Sequence, residues 1–435
     1  MNVAEMIRSA GVVGAGGAGF PTHVKVNAAS PECVIANGAE CEPLLRVDQQ
    51  VMEFHAGSVI EGLRLVMSHT DARRGVIALK DHYEGAITAL RRELSGSDDI
   101  GLHVMRSYYP AGDEQQLVYD ICGRVVPTGG IPLDVGAVVL NVSTLMHVDE
   151  GSRNIPVTDK YVTVGGAVRR PVTVKAPIGA PMDVLLDAAG GTTEKCGYII
   201  GGPCMGRVVS DLSFPVVKTT GGIIAIPEGH PLLQKKSDRM SVQLIKAVCC
   251  QCSLCTQMCP RNALGLRVEP HKAMRSLAQG VDLLNGANGL FSCCDCGICT
   301  YYACNFGLKP SKVMGLLKAE MQKAGVKPRK EVYSAADRGL GMKKLPTARL
   351  IHRLGIGKYD VAAPMEERPI YTAVVRIPLK MHIGAPSKPV ASVGQRVNRG
   401  DLIADIPEGA LGAKVHASID GTVTEVTGEY MEIKV

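Results

Sequence analysis

The spacing of apolar residues along the chain predicts a mixture of helices and short strands. Apolar residues recur at helical spacing over residues 3–10, which favours an N-terminal helix. Within residues 155–235, apolar stretches alternate with polar positions and with Gly and Pro, as in strands joined by tight turns. Pro270 and Pro310 each open a stretch typical of a helix start. Glycines also separate five short β-type stretches near the C-terminus, at residues 372–377, 390–393, 401–406, 415–417 and 422–426. These patterns predict several domains of mixed α/β type.

Length and composition agree with a folded protein of several domains. The chain has 435 residues, of which 46% are hydrophobic and 21% charged, so it is not mainly disordered. The net charge is only +6, Trp is absent and no long Lys/Arg run occurs, so nucleic acid is not an expected partner. No uncharged apolar stretch reaches the roughly 18 residues of a membrane helix. We expect a cytoplasmic protein without a transmembrane segment or signal peptide.

Ten of the fifteen cysteines fall within residues 249–304. They form two runs, Cys249-x2-Cys252-x2-Cys255-x3-Cys259-Pro260 and Cys293-x2-Cys296-x2-Cys299-x4-Cys304. This spacing is typical of bacterial ferredoxins with two 4Fe-4S clusters, in which the fourth Cys of each run ligates the other cluster. We therefore predict one cluster on Cys249, Cys252, Cys255 and Cys304, and a second on Cys293, Cys296, Cys299 and Cys259. The adjacent Cys250 and Cys294 are expected to be bystanders.

Two zinc sites are the alternative for these cysteines, because zinc ribbons also use paired Cys-x2-Cys groups. The second run departs from the ferredoxin pattern, since one extra residue precedes Cys304 and Asn305 stands where Pro is usual. A disulfide framework does not fit, because the cysteines cluster at ligand spacing in a long chain. The clusters remain the favoured interpretation.

Residues 11–25 read GVVGAGGAGFPTHVK and carry little side-chain bulk. Backbone N–H groups of such a stretch can approach an anion closely. The glycines at 14, 16 and 19 formally match the dinucleotide fingerprint, but that fingerprint should follow a strand, and residues 3–10 predict a helix. Taken alone, the stretch is either a phosphate cradle or a simple Gly-rich turn.

The same stretch resembles the motif GRGGAGFPT-x-x-K of the flavin-binding subunit of respiratory complex I and of the RnfC family. Residues 37–43, 109–114 and 141–144 resemble the next three flavin-site segments of those proteins, although Ala39 replaces an Asp that contacts flavin there. The resemblance implies FMN as cofactor and NADH as electron donor, with Glu42 and Glu114 on the ribose hydroxyls of NADH. The cofactor-binding residues it implies are Gly14, Gly16, Gly17, Gly19, Phe20, Lys25, Asn37, Glu42, Gly112, Glu114, Asn141 and Thr144.

Two further segments resemble known domains. The segment after the flavin domain resembles a soluble-ligand-binding β-grasp (SLBB) domain, expected mainly as a spacer. The C-terminal segment resembles a biotinyl/lipoyl-like barrel, but its hairpin at residues 416–423 lacks the attachment Lys. The predicted order is an FMN/NADH-binding α/β domain (1–152), the SLBB β-grasp domain (153–236), an α-helical ferredoxin-type domain with two 4Fe-4S clusters (237–325), a linker (326–369) and a C-terminal β sandwich barrel (370–435).

This domain order narrows the family, because RnfC proteins place the barrel before the flavin domain. Barrel-last order, and the phrases at residues 269–275, 382–386 and 409–421, resemble the cobalamin reductases of propanediol-utilising bacterial microcompartments. The resemblance implies electron transfer from NADH through FMN and two 4Fe-4S clusters to a corrinoid, from cob(III)alamin towards cob(I)alamin. The implied partners are a corrinoid adenosyltransferase and microcompartment shell or lumen proteins, with the protein inside the compartment or at its shell.

Two other functions stay open at this stage. One is an RnfC-like subunit that moves electrons between NADH and ferredoxin or quinone. The other is a non-catalytic scaffold with structural metal sites, which would be colourless. No general acid–base or nucleophile constellation is expected, since the cofactors supply the chemistry.

Overall fold

The computed structural model describes residues 2–27, 30–237, 240–280, 287–331 and 335–435. Its first unit is a parallel sheet flanked by helices. The strands are β1 (Cys33–Asn37), β2 (Arg74–Lys80), β3 (Ile100–Met105) and β5 (Ala137–Asn141), with the two-residue β4 (Tyr108–Tyr109) outside this sheet. The helices are α1 (Val3–Ser9), α2 (Thr22–Asn27), α3 (Val47–Phe54), α4 (Ala56–Thr70), α5 (Glu84–Glu93), α6 (Glu114–Cys122) and α7 (Val142–Ser152).

In the strand order β3-β2-β1-β5, the strands β2 and β3 are added on one side of β1 and β5 on the other, so the order reverses at β1. All pairs are parallel, and the strands β1 and β5 are apolar because helices cover both faces. Ligands of such sheets bind at the carboxyl ends of the strands, where the order reverses. The predicted N-terminal helix is confirmed as α1, which begins with a capping box between Asn2 and Glu5.

The second unit is a six-stranded sheet with the order β12-β7-β6-β10-β8-β9. Its elements are β6 (Asp159–Gly166), β7 (Val172–Pro177), α8 (Met182–Ala188), β8 (Cys196–Ile200), β9 (Arg207–Val209), β10 (Gly222–Pro227) and α9 (Pro231–Lys236). Every residue of β6 is buried, so the apolar and polar alternation around Tyr161 does not separate an inner from an outer face. The edge strand β12 (Met365–Pro369) comes from a later part of the chain.

The third unit is helical and internally repeated. Its elements are α10 (Val242–Val248), α11 (Leu254–Gln257), α12 (Pro260–Ala263), α13 (Pro270–Gln279), α14 (Ala287–Phe291), a π-turn (Cys299–Ala303) and α15 (Pro310–Lys323). The predicted helix starts at Pro270 and Pro310 are confirmed. The hydroxyl of Thr256 accepts the backbone N–H of His271 at 3.3 Å, and that of Thr300 accepts the N–H of Ser311 at 3.0 Å. Equivalent contacts therefore join each cysteine run to the helix that follows it.

The segment predicted as a linker contains regular structure. It forms α16 (Leu340–Lys343), β11 (Leu345–Pro346), α17 (Thr347–Leu354) and β12 (Met365–Pro369). The strand β11 pairs with β4 of the first unit, and β12 pairs with β7 of the second. Leu350 and Leu354 of helix α17 are buried in an apolar cluster that contains residues of both the first and the second unit. Residues 345–369 therefore tie the first two units together.

The C-terminal unit is a barrel of two small sheets, β13-β19-β18-β15 and β14-β16-β17. Its strands are β13 (Val374–Pro378), β14 (Lys388–Pro389), β15 (Arg396–Val397), β16 (Leu402–Asp405), β17 (Val415–His416), β18 (Gly421–Val426) and β19 (Tyr430–Lys434). The expected strand at residues 390–393 is wrong, because the chain turns there through a hydrogen bond from Gln395 N–H to Ser392 C=O. Strand β19 was not anticipated.

Three units meet at the ammonium group of Lys218. Its Nζ donates to the carbonyl of Gly11 at 2.6 Å and to that of Lys414 in the barrel at 2.7 Å. Burial lowers the pKa of Lys218 to about 7. His382 and His416 lie close enough for the Lys218 charge to lower their pKa values, although burial is the main cause for both.

Because the pKa of Lys218 is lower in the folded protein than the value of about 10.4 in an unfolded chain, the unfolded state binds more protons between these values. We expect the free energy of unfolding to rise from pH 7 to pH 10, by up to about 4 kcal/mol from this group. The Lys218→Met variant should lose that rise. Urea unfolding at stepped pH measures it, and an equal slope in both proteins would contradict the assignment.

Candidate functional site

The candidate flavin site is the crevice expected at the carboxyl ends of β1 and β5, where the strand order reverses. Asn37 and Asn141 end these strands and pair in register. The Asn37 amide donates to the carbonyl of Gly112 at 2.9 Å, which brings the loop before α6 to the crevice. The Asn141 side chain accepts from Ser143 N–H at 2.9 Å, capping α7, and donates to Asp48 at 2.9 Å. Both amides are thus held in fixed orientations.

The Gly-rich loop covers this crevice. Ala15 N–H donates to the hydroxyl of Thr144 at 2.9 Å. A Cβ at Gly16 would lie 2.8 Å from the Asn141 amide nitrogen, so only glycine permits this approach. A Cβ at Gly17 would meet no atom within 4 Å, so the loop backbone there faces open space. Such a surface of exposed backbone fits the phosphate end of FMN.

Two charged residues flank the loop. Lys25 on α2 donates to the carbonyl of Val139 at 2.7 Å and lies 3.9 Å from the Glu114 carboxylate. Burial lowers the pKa of Lys25, and Glu114 partly opposes that shift. Phe20 is 37% exposed at the end of the loop. The structure therefore brings together seven of the predicted cofactor residues, with Gly14, Gly17 and Phe20 on the same loop: Gly16, Lys25, Asn37, Gly112, Glu114, Asn141 and Thr144. Gly19 instead faces the barrel, where a Cβ would lie 2.9 Å from the carbonyl of Met381.

Glu42 lies apart from these residues, beneath a loop of the β-grasp domain. Its two carboxylate oxygens accept from Met205 N–H at 3.0 Å and from Cys204 N–H at 2.8 Å. The hydroxyl of Tyr109 lies 3.1 Å from the first of these oxygens. Burial raises the pKa of Glu42, while these hydrogen bonds and Lys236 oppose the rise. The predicted contact of Glu42 with NADH stays a prediction.

A second cavity adjoins the crevice at the carboxyl end of β2. Lys80, Arg46, Arg106 and Glu40 line it. Lys80 is only 3% exposed, and among the described residues its ammonium group has no hydrogen-bond or ion-pair partner. Burial lowers the pKa of Lys80 and raises that of Glu40 to about 8. Sequence reasoning missed this cavity, although a Lys at the end of a buried apolar strand was a usable signal.

The cysteines surround two spaces in the helical unit. The inner cysteine set lines the first and consists of Cys259, Cys293, Cys296 and Cys299. The outer cysteine set lines the second and consists of Cys249, Cys252, Cys255 and Cys304. Each set combines three cysteines of one run with the fourth of the other, which is the crossed grouping predicted from spacing. Cys294 and Cys250 also line the first and the second space, respectively.

Both loops wrap in the same way. Gln251 and Ser253 in the first run, and Asp295 and Gly297 in the second, adopt left-handed backbone conformations at equivalent positions. In the described parts of the chain, no three Cys, His, Asp or Glu side chains converge on a single metal ion. Thiolates spread around an enclosed space fit an iron–sulfur cubane, the group that two such runs ligate in ferredoxins.

The two sets differ in their surroundings. The inner set is next to the flavin domain: Arg261 follows Cys259-Pro260 and forms a buried ion pair with Asp113, with a contact of 2.5 Å. The outer set faces solvent, because Cys252 is exposed and the neighbouring Phe306 is 48% exposed. The fold thus places the inner set between the crevice and the outer set. Over the described residues, no helix has the length and apolar character to cross a bilayer.

Four domain families match the chain, and they confirm the predicted fold class. They are the Nuo51 FMN-binding domain over residues 7–150, the SLBB domain over 161–208, the 4Fe-4S dicluster domain over 248–309 and the RnfC barrel sandwich hybrid domain over 358–434. An FMN-binding domain and a 4Fe-4S dicluster domain are therefore both present.

A crystal structure of an NAD+-reducing NiFe-hydrogenase in the H2-reduced state shares the fold, with a TM-score of 0.50 and 19% identity. The similarity covers 76% of this chain and 63% of that one, less than two thirds of its length. One subunit of the Na+-translocating ferredoxin:NAD+ oxidoreductase complex of Acetobacterium woodii is 35% identical over 61% of this chain and 59% of its own.

The cobalamin reductase PduS of Salmonella typhimurium is 40% identical over 439 residues. The match covers 99% of this chain and 96% of that protein, so all four domains are included in the same order. The chain therefore belongs to the family of the cobalamin reductase PduS.

Proposed function

We propose that the protein is an NADH-dependent flavin and iron–sulfur oxidoreductase that reduces cob(III)alamin towards cob(I)alamin for cobalamin recycling in a bacterial microcompartment. The observation that carries the proposal is the buried Asp113–Arg261 pair. It joins the loop beside the flavin crevice to the loop of the inner cysteine set. Electron donors and acceptors on these two loops are held at one fixed separation.

The residues divide into three tasks. The backbone of residues 14–19 and Lys25 would hold the FMN phosphate, and Asn37 and Asn141 would contact the flavin. The inner and outer cysteine sets would each hold one 4Fe-4S cluster. When bound, FMN exchanges electron pairs with NADH and single electrons with such clusters.

The cavity beside the crevice supports NADH as the donor. A dinucleotide carries two phosphates, and Lys80 and Arg106 supply cations on the cavity wall, where Arg46 is already paired with Asp360. The Lys80 ammonium group has no partner among the described residues, and an anionic ligand would satisfy it. Glu40 lines this cavity and Asn37 lies at the crevice, so one short segment after β1 reaches both.

The outer cysteine set supports a corrinoid as the acceptor. Cys252 and Phe306 are exposed there, so a bulky acceptor can approach from solvent. The name of the PduS relatives gives the chemical class, cobalamin. A corrinoid adenosyltransferase is the expected partner, and shell or lumen proteins of the compartment are expected neighbours.

The test uses anaerobically purified protein loaded with FMN, iron and sulfide. NADH is added, and cobalamin absorbance is followed with an adenosyltransferase present. Because free reduced flavin itself reduces cob(III)alamin, an equal concentration of free FMN is the control. We expect flavin bleaching and adenosylcobalamin formation well above that control.

Other outcomes separate the alternatives. Bleaching without a corrinoid product, together with reduction of added ferredoxin, would favour the RnfC-like function. A colourless protein that binds zinc would support the scaffold function. Absence of bleaching would remove NADH as the donor.

A further inference from the structure

Glu42 occupies a carboxylate-binding loop of the β-grasp domain. The N–H groups of Cys204 and Met205 both point to its carboxylate, one to each oxygen. A Cβ at Gly202 would lie 2.0 Å from the carboxylate, so the loop closes over Glu42 only because this residue is glycine. Lys236 on α9 donates to the carbonyl of Cys204 at 3.0 Å and holds the other side of the loop. The β-grasp domain thus binds a carboxylate of its own chain.

The same carboxylate fixes the position of a buried phenol. Tyr109 is 1% exposed, and its hydroxyl lies 3.1 Å from Glu42. The hydroxyl also lies 2.6 Å from the backbone carbonyl of Cys296, a member of the inner cysteine set. The carbonyl and the carboxylate both accept only, so the single phenol hydrogen is shared between Cys296 and Glu42, and the contact with Cys296 is the shorter one. A phenol with its ordinary pKa of about 10 carries its hydrogen at neutral pH.

We propose that Tyr109, oriented by Glu42 and the β-grasp loop, is a positioning residue that sets the reduction potential at the inner cysteine set. This rests on the proposed function, since it requires a cluster on Cys259, Cys293, Cys296 and Cys299. The hydroxyl dipole has its positive end towards the ligand loop and stabilises added negative charge there. The outer set has no contact with Tyr109 among the described residues.

The test is the Tyr109→Phe variant, which removes only the hydroxyl. Reductive titration of the anaerobic holoprotein, followed by electron paramagnetic resonance, resolves the two cluster signals. We expect iron content to be unchanged, one signal to become harder to reduce and the other to keep its potential. The matched control is Tyr108→Phe, because the Tyr108 hydroxyl donates to Asp120 at 2.7 Å and not to a cysteine loop.

The Glu42→Gln variant tests the second step. The new amide group would face the N–H of Cys204 or Met205, donor against donor, so the loop should loosen. We expect faster amide hydrogen exchange at residues 202–205 and a changed potential for the same cluster signal, while the other signal keeps its potential. Cys196→Ser, in the same domain but away from the loop, is the control.

The outcomes distinguish this inference from the proposed function. If the wild-type protein shows no 4Fe-4S signal, the proposed function fails and the inference falls with it. The inference alone is overturned if both signals are present and Tyr109→Phe shifts neither potential. It is also overturned if Tyr109→Phe and the control Tyr108→Phe both shift the two potentials alike. Loss of iron from Tyr109→Phe would also overturn it, since a positioning residue leaves the cluster in place.

Discussion

Replacing Cys259 with Ser should remove the cluster of the inner cysteine set and leave the outer set loaded. The reason is the crossed grouping, in which Cys259 lines the same space as Cys293 although the two are 34 positions apart and Cys255 is much closer in sequence. Bound iron should fall to about half of the wild-type value. Cobalamin reduction should fall to the level of free flavin, because the outer set loses its supply of electrons.

Pairs of variants make this prediction sharp. Cys259→Ser combined with Cys293→Ser should lose no more iron than either alone, since both belong to the inner set. Cys259→Ser combined with Cys304→Ser should lose nearly all of it. Cys250→Ser, beside the outer set, is the control and should keep both clusters. If Cys259→Ser instead behaved as one unit with Cys249→Ser, the two runs would each hold their own cluster and the grouping would be wrong.

The cysteine sets could be predicted from the sequence because ligation imposes fixed local spacing. The loop must place three sulfurs around one cluster, and this requirement is met within seven residues from Cys249 to Cys255. The Gly-rich loop could be predicted for a similar reason, because a side chain does not fit where the loop backbone meets Asn141 and glycine is therefore required in the sequence. In both cases the chemistry constrains neighbours along the chain.

The contacts between domains could not be predicted in that way. Glu42 meets Cys204 across 162 positions, and neither residue carries a periodic or compositional signal of the contact. Resemblance to flavin subunits assigned Glu42 to NADH, whereas the structure places its carboxylate under the β-grasp loop. Helix α17 shows a different difficulty: its apolar Leu350 and Leu354 are at helical spacing, but the Lys- and Arg-rich surroundings suggest a solvated linker.

The Asp113–Arg261 pair should have the largest single effect on stability at the interface between flavin and cluster domains. Both side chains are less than 10% exposed, and Asp113 also precedes α6 directly. In Asp113→Ala the guanidinium would remain buried without its counter-charge, which costs about 3–5 kcal/mol. The exposed pair of Arg64 and Asp99 provides the comparison, since Arg64→Ala should cost no more than about 1 kcal/mol.

Amide hydrogen exchange of the holoprotein measures this loss locally, at the two segments that the ion pair joins. In Asp113→Ala, protection should fall both in α6 and in α12, whose first turn contains Arg261. NADH should still bleach the flavin, while reduction of the cluster absorbance slows, because the two loops are no longer held together. The double variant Asp113→Ala with Arg261→Met should regain part of the protection, since no unpaired charge is left. Equal protection in wild type and Asp113→Ala would show that the pair is a bystander, and the fixed separation between crevice and inner set would then need another cause.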